Sequence, residues 1–201
     1  MSIGTTSMLS SARRSRQVVL DRASARATQP ILLQRMKTVI GIDNGSTGTV
    51  GIITPTKSYF FETPTTPFLH YGKRGTVSNR IDRAELSRMI TEAITGIDKN
   101  TVRVMIERPF TAGPMMIKAM LGAHRCFEAT ICVLEDLGLG YEVVDSGTWQ
   151  DPVLGSVSGS SALKQASMLR GMQMYPQFAK EIKQHKDADG LLIAHHFAYR
   201  A

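Results

Sequence analysis

The strongest constraint on the fold lies at residues 39–53, "VIGIDNGSTGTVGII". Two short β-branched runs flank a Gly/Ser/Thr turn, and the first run ends on Asp43. Runs of this length, punctuated by turn residues, read as paired strands rather than as helix. With a further run beyond the "TPTK" turn, residues 38–43, 48–54 and 57–62 predict a three-stranded antiparallel meander. A strand buried enough to be this apolar, yet ending on a carboxylate, poses the functional question.

Residues 64–80, "PTTPFLHYGKRGTVSNR", are Pro/Gly-rich and basic and predict a loop. Asp82 then caps an amphipathic helix with Leu86, Met89, Ile90, Ala93 and Ile94 on one face. "TVRVMIE", 101–107, predicts a fourth strand, again ending on an acid, Glu107. A long helix follows over 114–137, a fifth strand over 141–145 and a Gly/Ser loop over 146–160. Ser160 or Ser161 caps the next helix, Pro176 opens a short one, and a last helix spans 187–199. This order predicts an α/β fold: a mixed five-stranded sheet, its first three strands antiparallel, flanked by helices.

The length of 201 residues suits one well-cored domain. No apolar run approaches the roughly 18 residues that span a bilayer. Cys126 and Cys132 form no CxxC pair, so they read as small hydrophobes in a reducing compartment and a zinc site is disfavoured. The net charge of +7 suggests nucleic acid, but it is unevenly placed. Residues 1–35 hold six arginines and one acid, whereas 36–201 hold 18 Lys/Arg against 16 Asp/Glu. DNA affinity must therefore come from local clusters.

The Ser/Arg/Ala-rich segment 1–36 has no apolar core and is not a secretory signal. It reads as a disordered leader: an organellar transit peptide, translated sequence upstream of a start at Met36, or a basic DNA-binding tail. The first implies a mitochondrion or plastid, the second a bacterial or phage-host cytoplasm. Residues 37–201 form the expected folded domain.

Acids stand at three informative places: Asp43, Glu107, and the pair Asp187 and Asp189 in "HKDADGLLIAHHF". Each has a structural alternative. Asp43 can cap its turn, Glu107 can pair with Arg108 on an edge strand, and Asp187 can cap the last helix. Asp189 directly precedes an apolar helix segment that must pack inward, which favours a site. If strands one and four are neighbours, Asp43 and Glu107 meet at one sheet end, where sites gather. Converging carboxylates repel, and some would have to protonate. Two divalent cations remove that conflict and suit phosphodiester hydrolysis. Oxygen ligands favour Mg²⁺ or Mn²⁺ over zinc.

"IGIDNGSTG", "MIERP" and "KDADGLLIA" resemble, in order, the acidic motifs of the RuvC family of Holliday-junction resolvases, within the ribonuclease H-like superfamily. The resemblance spans about residues 37–199. "DSGTWQ" followed by "ALKQAS" is similar to the family segment that brings a basic residue to the scissile phosphate, and Lys164 matches that position. The resemblance implies a homodimer, built on the helix at 114–137 around Met115, Met116 and Met120, that nicks four-way DNA junctions symmetrically with Mg²⁺ or Mn²⁺. It implies Asp43, Glu107 and Asp189 as metal ligands. In relatives a further ligand stands three residues before the last acid; that place here is Lys186, leaving Asp187 or His185. Residues two apart do not share a helix face, so Asp187 serves beside Asp189 only from outside the helix.

For DNA contact, the basic loop offers Lys73, Arg74 and Arg80 beside Tyr71, and Phe110 is placed to wedge against an unstacked base. His195 and His196 read as packed residues. Two other functions compete. "DNGSTGT" also resembles the phosphate loop of actin-like and sugar-kinase ATPases, although the residues after 36 leave no room for a second lobe. A non-catalytic DNA-binding relative is the other, disfavoured because an idle site has no reason to keep four mutually repelling acids.

Overall fold

β-Branched content and turn chemistry dictate the first sheet layer. In the computed structural model, which describes residues 37–69, 77–109 and 117–199, β1 (Thr38–Ile42), β2 (Thr49–Ile53) and β3 (Ser58–Glu62) form the meander. Two parallel strands, β6 (Val102–Glu107) and β7 (Tyr141–Val144), complete a five-stranded sheet of order β3-β2-β1-β6-β7. The first three strands pair antiparallel and β6 runs parallel to β1, with Ile42 opposite Ile106. This is the mixed sheet expected from the sequence.

Helix α1 (Arg83–Ala93) starts where expected, because the Asp82 carboxylate accepts the Glu85 amide at 3.0 Å. Then come α2 (Ile117–Asp136), α3 (Ser146–Leu154), α4 (Ser160–Met174), α5 (Ala179–His185) and α6 (Asp189–Ala198). Side chains alternate across a strand, so β1 sorts its residues to two faces. Ile40 and Ile42 join Leu86, Ile90, Val133 and Leu134 in the core beneath α1 and α2. Gly41 faces the opposite side, against α6.

Helix α6 is apolar all round, and Leu191, Leu192, Ile193 and Ala194 are fully buried. Burial of each large aliphatic side chain stabilises the fold by roughly 1.5–3 kcal/mol. The helix lies unusually close to the sheet because glycines line the contact. A Cβ on Gly41 would sit 2.3 Å from the Ala194 nitrogen, and one on Gly190 2.3 Å from the Thr49 carbonyl oxygen.

Two expectations need correction. The 64–80 segment holds a β-hairpin, β4 (Thr65–Leu69) paired with β5 (Val77–Ile81), rather than an irregular loop. Its short strands, one carrying Pro67, lack apolar alternation because the ribbon buries little. The 146–160 segment holds α3 despite Gly147 and Pro152, since fully buried Trp149 anchors it. The cap at α4 is Gly159, not Ser160 or Ser161. The leader 1–36, Tyr71, Lys73, Arg74, Phe110, Met115 and Met116 lie outside the described residues. Among the described residues no helix is long and apolar enough to cross a membrane.

Candidate metal centre

Strand parity determines where the acids emerge. Asp43 lies two residues beyond Gly41 and so shares the face that α6 covers. Glu107 lies two residues beyond Met105 on the neighbouring strand, next to Asp43 across the β1–β6 register. Asp189 is the first residue of α6. Close seating of α6 on glycines therefore lowers its N-terminus onto the end of β1. Asp43, Asp187 and Asp189 each offer an oxygen, and these oxygens all lie within 4.8 Å of one another. Negative charge at this point also faces the positive end of the α6 dipole.

The bend before α6 settles how two acids spaced two apart can meet. Lys186, in the left-handed region at φ 75°, closes α5. The chain then turns through Ala188, the N-cap of α6, which makes no side-chain cap bond. Asp187 thus stands outside the helix, buried, with only a long 3.4 Å contact to the Asp189 amide. Its capping role gives way to a place in the cluster.

Each acid is held. Thr49, fully buried, donates to Asp187 at 3.4 Å and accepts the Gly190 amide at 2.9 Å. The Ser167 hydroxyl donates to Asp189 and accepts the Ala188 amide at 3.0 Å. Trp149 Nε1 donates to Glu107 at 2.8 Å. Glu107 is not paired with Arg108, which instead bridges to Asp145 at 2.9 Å, and β6 is an inner strand. Asp43 makes no side-chain hydrogen bond to its turn among the described residues; Asn44 fastens that turn to α2 through Ala123 and Thr130.

His185 lies beside Asp187 but is committed elsewhere. Its Nε2 donates to the Thr47 carbonyl at 3.0 Å, and its Nδ1 lies 3.2 Å from Glu62. Its Nε2 also lies 3.5 Å from Asp187 Oδ2, and it is Asp187 that offers an oxygen within the group formed with Asp43 and Asp189. Lys164, exposed on α4, lies close enough for its charge to favour ionised Asp43, Asp187 and Asp189. Arg80 is exposed on β5, and Met120 is half-buried on α2. His195 bonds Tyr175 at 2.8 Å and His196 is buried, both away from the acids along α6. Thr49, Ser167, Trp149 and Glu62 carried no readable role in the sequence, because their partners are distant along the chain, although Thr49, Ser167 and Trp149 stood inside the quoted motifs "DNGSTGT", "ALKQAS" and "DSGTWQ".

The electrostatics describe a cluster short of positive charge. Burial, then repulsion from Asp189, Glu107 and Asp187, pushes the Asp43 carboxyl well above the usual range. Burial lifts Glu107 to about 7, against the Trp149 bond and with Asp189 adding to the rise. Burial lifts Asp189 to about 6, opposed by Ser167 and aided by Asp187. Asp187 is raised by burial also. The donor set, hard oxygens only and too close to ionise together, fits Mg²⁺ or Mn²⁺.

These raised values fix the sign of a pH effect. A carboxyl whose folded value exceeds its unfolded value near 4 contributes stability that is fully present below about pH 4. That contribution is lost as pH rises through 6 and 7, the values for Asp189 and Glu107. Metal-free protein is expected to melt at falling temperature between pH 5 and 8, Glu107 alone accounting for on the order of 3 kcal/mol. Excess Mg²⁺ or Mn²⁺ is expected to raise the melting temperature more at pH 8 than at pH 5. A flat pH profile with no metal response would contradict this charge balance.

A mixed sheet of order β3-β2-β1-β6-β7, with clustered carboxylates at one end of β1, is the architecture that fold and site define. The chain is similar to T. thermophilus RuvC in complex with Holliday junction substrate, at 16% identity and a TM-score of 0.46, over 79% of this chain and 90% of that one. A second structure of Thermus thermophilus RuvC is similar at 14% identity and a TM-score of 0.39, over 78% and 90%. No family model matches the chain, and no curated protein matches it in sequence.

Proposed function

We propose that residues 37–201 form a RuvC-like, metal-dependent DNA endonuclease that cleaves four-way junctions and leaves 5′-phosphates. One observation carries the reading: acids 144 or more residues apart in sequence, Asp43 with Asp187 and Asp189, offer oxygens within 4.8 Å. A fold that accepts this repulsion gains nothing from it unless cations bind. The motif resemblance supports branched DNA as the substrate.

Asp43, Asp187, Asp189 and Glu107 would hold two Mg²⁺ or Mn²⁺ ions. Bound there, such a pair supplies Lewis-acid chemistry that activates the attacking water and offsets charge on the leaving 3′-oxygen. The protein's own groups do the rest. Thr49, Ser167 and Trp149 hold the carboxylates in orientation, as supporting bonds around metal ligands do. The Lys164 ammonium meets the scissile phosphate and stabilises its added negative charge. The motif resemblance also supports a homodimer.

Lys164→Ala is expected to lower the cleavage rate by about 10²–10³-fold while junction binding persists. Single-turnover kinetics on a synthetic junction measure this; an unchanged rate would remove Lys164 from the mechanism. The reading itself is tested by offering a four-way junction, a fork and a linear duplex side by side, with and without Mg²⁺. Preferential, Mg²⁺-dependent nicking of the junction is the expected result. Equal cutting of linear duplex would make it a general nuclease, and binding without cutting a non-catalytic relative.

A further inference from the structure

The hairpin β4–β5 has no part in the centre described above, yet it is docked on α2 in a specific way. Phe68 and Ser78 are cross-strand partners, and Arg80, two residues on, shares their face. The Arg80 guanidinium carbon lies 4.8 Å from the Phe68 ring centroid. Arg125, reaching from α2, lies 5.7 Å from the same centroid. One aromatic ring therefore holds two like-charged side chains from separate elements. Both arginines are exposed, and neither has a carboxylate partner among the described residues.

Stacking uses a guanidinium's flat face and leaves the N–H donors around its rim unspent, the geometry that suits phosphate oxygens. The surroundings supply a path. Arg125, Ser78 and Asn79 line a cleft of about 1030 Å³ together with Ile117, Leu121 and Ala123 of α2 and the turn residues Gly45, Ser46 and Thr47, which follow Asp43 after one intervening residue. A polyanion lying in this cleft meets Arg125 on α2, with Arg80 of the hairpin held on the same ring, and runs beside the turn that leads back to Asp43.

We propose that Arg80, Phe68 and Arg125 form a phosphate clamp that seats one duplex arm of the DNA in this cleft. The inference rests on the nuclease reading and names the element that holds its substrate. Phe68 is a positioning residue; the two arginines make the contacts.

The test is binding of a synthetic four-way DNA junction in EDTA, where cleavage cannot intervene, over a series of salt concentrations. Each phosphate contact contributes about 0.9 to the slope of log affinity against log salt. Arg80→Ala and Arg125→Ala are each expected to reduce that slope by about one and to weaken binding about eightfold at 0.1 M salt. Phe68→Leu keeps both charges, so the slope holds while affinity falls. Arg83→Ala removes an equal charge from an ion pair with Asp136 and is expected to keep the wild-type slope. Wild-type slope and affinity in both arginine variants, in a protein that binds and cuts junctions, would overturn the clamp alone. A wild-type protein with no salt-dependent DNA affinity would overturn the clamp and the nuclease reading together. The arginines are exposed, so their variants decide the matter even if Phe68→Leu fails to fold.

Discussion

Asp43→Asn is expected to lower junction cleavage by at least about a thousandfold, leave junction binding intact, and raise the melting temperature of the metal-free protein. The three effects share one cause. Asp43 is the carboxylate most burdened by its neighbours, with repulsion from Asp189, Glu107 and Asp187 added to burial. An amide of the same shape removes that repulsion, so the empty fold relaxes and becomes more stable. It also removes a ligand from a set whose oxygens lie within 4.8 Å, so cation affinity falls. The proposed DNA contacts are basic groups elsewhere, so binding is expected to persist. Thermal melts with and without Mg²⁺, beside a cleavage assay, measure all three. Retained Mg²⁺-dependent nicking would sink the assignment of this acid.

The second large effect concerns the fold. Gly41→Ala is expected to destabilise the protein by at least about 3 kcal/mol, a fall of roughly 10 °C in melting temperature. The added methyl would lie 2.3 Å from two backbone atoms, the Ala194 nitrogen and the Gly190 oxygen, and neither can swing aside as a flexible side chain does. Relief requires α6 to lift from the sheet, which carries Asp189 away from Asp43. Activity is therefore expected to fall more steeply than stability alone dictates, in the fraction of molecules still folded. Gly122→Ala is the control: its methyl meets nothing within 4 Å, in mid-helix, where alanine is favoured over glycine by about 1 kcal/mol. Equal melting temperatures for the two variants would show that α6 does not depend on this close approach.

Much of this arrangement was legible in the chain. The meander could be read because its signals are local: β-branched runs, turn residues and an Asp82 cap. The acids could be read because strand parity and an apolar helix start limit where a carboxylate can point. The hairpin was missed because its strands bury little and carry no apolar alternation. Helix α3 was missed because Trp149, not local propensity, holds it. Glu62 and Thr47 face His185, although no local pattern links either residue to it. Ser167 and Thr49 were invisible for the same reason. Local chemistry writes elements into a sequence; the groups that brace a site are chosen by tertiary packing, across 138 residues in the case of Thr49 and Asp187.

The bond from Trp149 to Glu107 has an optical consequence. This indole is the chain's single tryptophan, sealed from solvent and tied through its N–H to a carboxylate at the centre. Excited at the red edge of protein absorbance, its emission therefore comes from one indole whose N–H is bonded to Glu107. Quenching of that emission by Mn²⁺, a paramagnetic ion, in unlabelled protein is the expected outcome of the proposed metal binding, with no DNA present and no turnover required.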